Sequence, residues 1–351
     1  MITRAEAIDM YNSNDLIGIG MEADAVRRKL HPEGVVSYII DRNINYTNTC
    51  TEYCSFCAFY RPLGHKEGYL HPKEVIFSKI QETLDLGGTG ILMQGGLHPE
   101  LKIEWYEDLL RSIKANFNIW CHCFSAPEIV NIAKVSDITI RETLARLRDA
   151  GLDSLPGGGA EIFDERVRRI ICDHKIDGAE WLETARIAHQ LGLHSNCTML
   201  YGHIENEEAR VDHLIKLREL QDETNGFVTF IPLAFHPENT ALDHLPKTTG
   251  FDDLKMIAVS RLMLDNMPHI KAYWIMMTPR IAQIALRFGA DDIDGTVVEE
   301  KIYHDAGATT SQSMRRQELL ALIRKAGREP MERDTLYRPV ERTESAFTIL
   351  V

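Results

Sequence analysis

The sequence predicts an α/β fold: a (β/α)8 TIM-type barrel with an N-terminal helical extension and a C-terminal helix. Three observations predict it. Short runs rich in β-branched and aromatic residues recur eight times along the chain. The stretches between them carry apolar residues at helical spacing, and strand–helix alternation with short joins implies parallel strands. The series spans residues 35–300, close to the roughly 250 residues that such a barrel needs. An open doubly wound sheet is the competing architecture.

Residues 1–34 precede the first run and read as a helical extension, with Thr3 and Glu6 at capping-box spacing. The runs then follow in order: "VVSYIIDRNINYTN" (35–48), "GILMQGG" (90–96), "NIWCHCFSA" (118–126), "LDSLPGGGAEI" (152–162), "LHSNCTMLYGHI" (193–204), "FVTFIPLAFHP" (227–237), "KAYWIMM" (271–277) and "DDIDGT" (291–296). Among the helices between them, "TIRETLARLRDAG" puts Ile140, Leu144 and Leu147 on one face, and Gly151 fits its C-cap. In "ARVDHLIKLREL" the residues Val211, Leu214, Ile215 and Leu217 do the same. No low-complexity linker interrupts residues 35–300, so they read as one barrel domain. Residues 301–351 read as a tail packing on it, with a helix over 313–327 ended by Gly327.

The composition excludes several classes. The net charge of −13, from 39 basic and 52 acidic residues, argues against nucleic acid as a partner, which would need a basic face. No apolar stretch is long enough for a membrane span, and "MITRAEAIDMYN" is too charged for a signal peptide. The expectation is a cytoplasmic protein. Seven cysteines without a secretion signal point to metal or catalytic use rather than disulfides.

Polar residues gather at the ends of the runs: Asn45 and Asn48, Gln94 to Gly96, Ser125, Gly157 to Glu161, His203, His236 and Asp294. In a barrel these ends form the mouth where active sites are built. Just past the first run stands "CTEYCSFCAFY", with Cys50, Cys54 and Cys57. Thiolates select soft metals: zinc, copper(I) or an iron–sulfur cluster. A structural zinc site needs four closed ligands, which His65 would complete. Three thiolates on a four-iron cluster instead leave one iron open to a ligand. Cys121, Cys123, Cys172 and Cys197 read as packing residues.

The C-x3-C-x2-C spacing, Phe56 before the third cysteine, and Gly95 and Gly96 ending the second run together resemble the radical S-adenosylmethionine (SAM) enzymes. The resemblance covers nearly the whole chain and points to the futalosine route to menaquinone. "DRNINYTN", "FCAFYR", "LMQGGLHPELKIEWY" and "HCFSAPEI" look most like cyclic dehypoxanthine futalosine synthase. "TMLYGHIE", "FIPLAFHPENT", "IKAYWIM", "DDIDGTVVEEKIYHDAGA" and "ERDTLY" look most like aminofutalosine synthase. "LPGGGAEI" is common to both, and the synthase of the deazaflavin precursor matches the second half poorly. The second half is longer and supplies four of the eight strands, so the expectation is aminofutalosine synthase, with the cyclising sibling as the alternative. A non-catalytic zinc-binding barrel is the reading outside this class.

The resemblance implies residue roles. Cys50, Cys54 and Cys57 would hold a [4Fe–4S] cluster whose open iron chelates SAM. Phe56 would lie near the adenine, and Gln94, Gly95, Gly96 and Ser125 would line the SAM site. The acid usual after the glycine pair is absent, Leu97 standing there. Glu161 would contact the SAM ribose or amino group, or else be a helix N-terminal acid favoured by the dipole. His98, His203, His236 and Asp294 are candidates for substrate contact or proton transfer. Arg61 and Arg280 are candidates for a substrate carboxylate. A low-potential donor such as flavodoxin or ferredoxin would supply the electron, and the substrate would be a benzoate-containing menaquinone precursor.

Overall fold

The computed structural model describes residues 2–342 and 347–350; the expected N-terminal and C-terminal segments otherwise fall within this range, apart from residues 1, 343–346 and 351. The first run divides into β1 (Val35–Ile39) and β2 (Asp41–Ile44), parted at Ile40. From β2 a parallel ladder passes in chain order through β3 (Gly90–Met93), β4 (Trp120–Cys123), β5 (Ser154–Leu155), β6 (His194–Tyr201), β7 (Phe227–Ala234) and β8 (His269–Ile270). This seven-stranded sheet curls into a partial barrel. The eighth run forms β9 (Asp292–Gly295), which stands in the gap between β8 and β2. Single parallel bridges tie it on both sides, Lys271 to Asp292 and Arg42 to Val298.

Closure of the ladder stops there for a local reason. Asp294 and Val297 have φ of 69° and 40°, a left-handed conformation that breaks the extended backbone a ladder requires. β9 pairs instead with β1, at Ser37 with Asp292 and Ile39 with Gly295. β1 is flanked on its other edge by β10 (Glu329–Arg333), in register from Val35 with Glu329 to Ile39 with Arg333. The tail was expected as a helix alone. It forms that strand too, and a hairpin of β11 (Val340–Arg342) with β12 (Phe347–Ile349).

The helices pack outside the sheet. The extension forms α1 (Arg4–Asn12) and α2 (Leu16–Leu30). Glu6 N–H donates to Thr3 Oγ1 at 3.2 Å while Thr3 N–H donates to Glu6 Oε2 at 2.6 Å, a complete capping box. After β2 and β3 come α3 (Lys73–Asp85) and α4 (Ile103–Asn116), then α5 (Ala126–Ser136) and α6 (Ile140–Ala150) after β4. In α6 the side chains of Leu144 and Leu147 are fully buried, each contributing about 2 kcal/mol. Gly151 ends the helix at φ 118°, which a side chain would resist. The ring continues with α7 (Glu165–Ile171), α8 (Gly178–Gln190), α9 (Glu207–Thr224), α10 (Gly250–Met263) and α11 (Trp274–Ala285). The short α12 (Ile302–Asp305) covers the mouth region, and α13 (Arg316–Lys325) belongs to the tail.

One run departs from expectation. "KAYWIMM" is not a strand: the ladder ends at Ile270, and Trp274 already begins α11. Past Lys271 the run is apolar, so it carries no period to tell strand from buried helix. Tertiary contact decides it, since the Trp274 indole N–H donates to the Gly295 carbonyl at 3.0 Å. Among the described residues no helix is long and apolar enough to cross a membrane.

Candidate active site

The strand ends open into two joined chambers. Counting space open to solvent, the outer one spans about 1070 Å³ and the inner one, in the barrel lumen, about 890 Å³. Gln94, Gly158, Leu233 and Tyr303 line both and so mark the passage between them.

The outer chamber brings together Cys50, Cys54, Cys57, Phe56, Gln94, Gly95, Gly96, Ser125, Glu161 and His236. The cysteine loop is fastened to the sheet by backbone: Cys50 N–H donates to the Arg61 carbonyl at 2.9 Å, and Thr51 N–H to the Leu97 carbonyl at 3.1 Å. Arg61 serves this loop. Its guanidinium donates to the carbonyls of Ala58 and Tyr60 and pairs with Glu67 at 2.9 Å, so it does not face a substrate. Arg280 is exposed. Neither is the carboxylate partner expected of them.

Gly96 earns its place by proximity. A Cβ there would lie 2.3 Å from the Thr49 carbonyl oxygen and 2.9 Å from Cys50 Cβ. Gly96→Ala is expected to push the cysteine loop outward, lowering both the iron bound on anaerobic reconstitution and the Tm. Iron analysis and thermal unfolding check this; full iron content would refute the close-approach argument. The acid missing after the glycine pair comes from elsewhere. Glu128 on α5 accepts from Gly95 N–H at 3.0 Å, from the Tyr46 hydroxyl at 2.9 Å and from the Ser125 backbone N–H and hydroxyl at 2.8 and 2.6 Å. Burial pushes its pKa up to about 7 against those hydrogen bonds. Ser125 is the N-cap of α5.

Glu161 sits at φ 45°, a strained conformation for a glutamate. It precedes α7, whose first turn starts at Glu165 and is capped by Asp164, so the helix N-terminal reading does not hold. Its carboxylate accepts from the Lys175 ammonium at 2.6 Å. Lys175 carries no sequence motif and was missed. Burial disfavours its charge, but Glu161 and the thiols of Cys54 and Cys172 more than offset this and raise its pKa. Its ammonium also lies 5.7 Å over the Phe56 ring. Burial raises the pKa of all three loop cysteines, and Lys175 opposes the rise at each. Only its position between the cysteine loop and Glu161 reveals it, and proximity in sequence to Cys172 was no signal.

The donor set distinguishes a cluster from a single metal. A tetrahedral zinc with Zn–S near 2.3 Å needs sulfurs about 3.8 Å apart. Among the described residues the only His, Cys or carboxylate trio converging within 4.8 Å is His31, His269 and Asp291, far from the mouth at the start of β8 and β9. The three loop sulfurs do not converge so tightly, whereas ligands on three separate irons stand farther apart. Three thiols on one loop, all lining one chamber, are the donor set of a [4Fe–4S] cluster that leaves one iron open, one short of the four ligands of a closed structural zinc site. All seven cysteines are free.

The remaining candidates separate. His236 lines the outer chamber, held by the Met276 carbonyl 3.0 Å from Nε2, and burial lowers its pKa. His203 is buried outside both chambers, with Nε2 3.1 Å from the Leu200 carbonyl and Nδ1 3.0 Å from Glu205. His98 caps the turn at Glu100 and lines neither chamber. Both are corrected to structural residues. Asp294 lines the inner chamber and accepts from the Lys271 ammonium.

The inner chamber also holds Asp41, His122, Asn196 and Arg333. Burial, then Lys271 and Arg333, bring the His122 pKa down to about 3, so the imidazole is neutral. Asn196 Nδ2 donates to its Nε2 at 3.0 Å, and Nδ1 meets the Ser154 hydroxyl at 2.7 Å. Asp41 is partly buried and lines the chamber, with its Oδ1 shut off from solvent. Burial, then the charge of Asp294, push its pKa up to about 7. Between pH 4 and 7 the native state keeps a proton that the unfolded chain has released, so stability falls as pH rises through that window and levels off above it. Asp41→Asn abolishes this slope. At pH 8 it is expected to gain on the order of 4 kcal/mol relative to its effect at pH 4, a few degrees in Tm. Thermal unfolding at both values checks it; an effect independent of pH would show that Asp41 is ionised throughout.

Comparison with known proteins follows the same outline. A model of the Radical SAM superfamily matches residues 44–217, and one of the CofH/MqnC C-terminal region matches residues 224–346. A cyclic dehypoxanthine futalosine synthase of Halalkalibacterium halodurans is 44% identical over 344 residues, covering 98% of this chain and 92% of that one. An aminodeoxyfutalosine synthase of Thermus thermophilus is 44% identical over 341 residues, covering 95% and 91%. The crystal structure of methylornithine synthase (PylB) has the same fold, with a TM-score of 0.70 over 94% of each chain at 18% identity.

Proposed function

Because the chain belongs to the radical SAM superfamily, and to its branch with the CofH/MqnC C-terminal region, we propose that it is an aminofutalosine synthase. This enzyme adds the 5′-deoxyadenosyl radical to 3-[(1-carboxyvinyl)oxy]benzoate and yields 6-amino-6-deoxyfutalosine for menaquinone biosynthesis. The partial barrel is the one typical of radical SAM enzymes, whose cofactors are a [4Fe–4S] cluster and SAM.

One observation carries the choice of reaction. Most of the charged and aromatic lining of the inner chamber comes from stretches that resemble aminofutalosine synthase. Lys271 and Tyr273 lie in "IKAYWIM", Asp294, Glu300 and Tyr303 in "DDIDGTVVEEKIYHDAGA", and Arg333 and Tyr337 in "ERDTLY". The alternative, cyclic dehypoxanthine futalosine synthase, is supported by Asp41 and Asn43 of "DRNINYTN", which line the same chamber.

Cys50, Cys54 and Cys57 hold the cluster in this reading. When bound, cluster and SAM supply one-electron cleavage of the sulfonium to methionine and the 5′-deoxyadenosyl radical. The protein's part is placement. Lys175 offers its ammonium to the SAM carboxylate, and Glu161 holds Lys175 in place and accepts from the SAM amino or ribose groups. Phe56 packs near the adenine, with Ser125 and the strand end from Gln94 to Gly96 closing the opposite wall. His236 stands at the rim for proton transfer, and Asp294, hydrogen-bonded by Lys271, stands deeper in. The lumen keeps water and stray hydrogen donors from a radical. The enzyme acts in the cytoplasm and takes its electron from flavodoxin or ferredoxin. Mass spectrometry of the products formed from each candidate substrate, with SAM and a reductant, tests the proposal. Aminodeoxyfutalosine is expected, and a cyclised product in its place overturns the choice.

A further inference from the structure

Four buried polar atoms of residues lining the inner chamber have no partner in good hydrogen-bond geometry: Asp41 Oδ1, Asn196 Oδ1, Arg333 Nη2 and Tyr337 OH, the last with the Thr229 hydroxyl near it. A buried polar group left unpaired is unfavourable, and native proteins keep few of them. Gathered around one cavity, they mark where a ligand supplies the partners. Arg333 Nη2 and the Tyr337 hydroxyl carry hydrogens to donate.

These two donors belong to one assembly on the chamber floor. The guanidinium carbon of Arg333 lies 3.8 Å over the Tyr337 ring, and Arg333 is 2% exposed. The rest of the guanidinium is committed: Nε donates to Asp292 at 2.6 Å and Nη1 to the Asp334 carbonyl at 3.0 Å. Asp292 is fixed in turn by the Ser37 hydroxyl at 2.7 Å. Thr229, the hydroxyl beside Tyr337, donates to the His269 carbonyl at 3.2 Å. Lys271, the other cation of the lining, is bound to Asp294. Arg333 is therefore the cation with an N–H to spare. Above it the lumen turns apolar, with Leu92, Ile231 and Leu233.

We propose that Arg333 and Tyr337 anchor an aromatic carboxylate. The ring carboxylate of the substrate accepts from Arg333 Nη2 and the Tyr337 hydroxyl at the floor. Its ring lies among Leu92, Ile231 and Leu233, and its reacting side chain points up to the passage at Gln94 and Tyr303. The anchor is specificity-determining. It rests on the proposed function, which supplies a benzoate as substrate, and it gives "ERDTLY" a place at the site that Arg61 and Arg280 do not fill.

The test is calorimetric titration of the anaerobically reconstituted protein with 3-methoxybenzoate and 3-methoxybenzamide. The acid is expected to bind at least about tenfold tighter than the amide, the range of one charge-assisted hydrogen bond. Arg333→Lys keeps a charge for Asp292 and is expected to erase that preference. Tyr337→Phe removes only a hydroxyl and is expected to weaken the acid severalfold and leave the amide unchanged, with the circular dichroism of wild type. If Arg333→Lys does not fold, Tyr337→Phe decides alone. Absence of a preference for the acid in the wild type, including no binding of either probe, overturns the anchor, as does a preference unchanged in the variants. The proposed function fails by a different route: label from the adenine of SAM ending in 5′-deoxyadenosine discards the synthase while an acid preference keeps the anchor.

Discussion

Replacing Cys50, Cys54 or Cys57 singly with alanine is expected to strip iron from the protein and abolish turnover, while Cys172→Ala leaves both near wild type. The three thiols line the outer chamber on a loop fastened to the sheet. In the cluster reading each takes its own iron, and no neighbouring thiolate replaces it. Cys172 makes the sharper control because it is close, near enough to Cys54 to raise its pKa. It is nevertheless buried in the apolar core, and its loss costs about 1 kcal/mol of stability. Iron content, the low-temperature electron paramagnetic resonance of the reduced protein and methionine release are the measurements. Full activity in any of the three loop variants would sink the cluster assignment.

Adenine-labelled SAM is expected to leave its label in the benzoate-containing product, with little free 5′-deoxyadenosine. Addition of the adenosyl radical to a vinyl ether joins the two molecules, so the purine stays in the product. Hydrogen abstraction, the step of the cyclising sibling, returns the purine as 5′-deoxyadenosine, about one per turnover by simple stoichiometry. Chromatographic separation with counting of the label decides between the two. The outcome is all or none for a given product, which makes it the most discriminating measurement on this protein. Label confined to 5′-deoxyadenosine beside a cyclised product would move the chain to the sibling reaction and leave fold and cofactors standing.

Much of the candidate site was legible before any coordinates. Cys50, Cys54, Cys57 and Phe56 lie within eight residues of chain, and short-range spacing survives folding. Gln94 to Gly96, Ser125 and Glu161 follow from strand ends, because every strand of a parallel barrel delivers its C-terminal end to one mouth. His203 follows the same rule but is buried outside the chambers. Being at a strand end does not say whether a side chain turns inward, and a single-residue change of register reverses it.

By itself the sequence determined the alternation of strands and helices, the caps at Thr3 and Gly151, the thiol triad and the class of chemistry. Each rests on periodicity, φ preference or local spacing, which a few neighbouring residues specify. The tertiary structure alone decided that "KAYWIMM" ends as a helix, that β9 stands in the gap of the partial barrel on single bridges, and that Glu128 comes to the glycine turn. It also brought Lys175 to Glu161 and carried Arg333, nearly 300 residues from β1, beneath the lumen beside it. These are encounters between segments far apart in the chain, set by packing and by the pairing of buried charges. No local pattern encodes them, since the partner that stabilises each group belongs to another element.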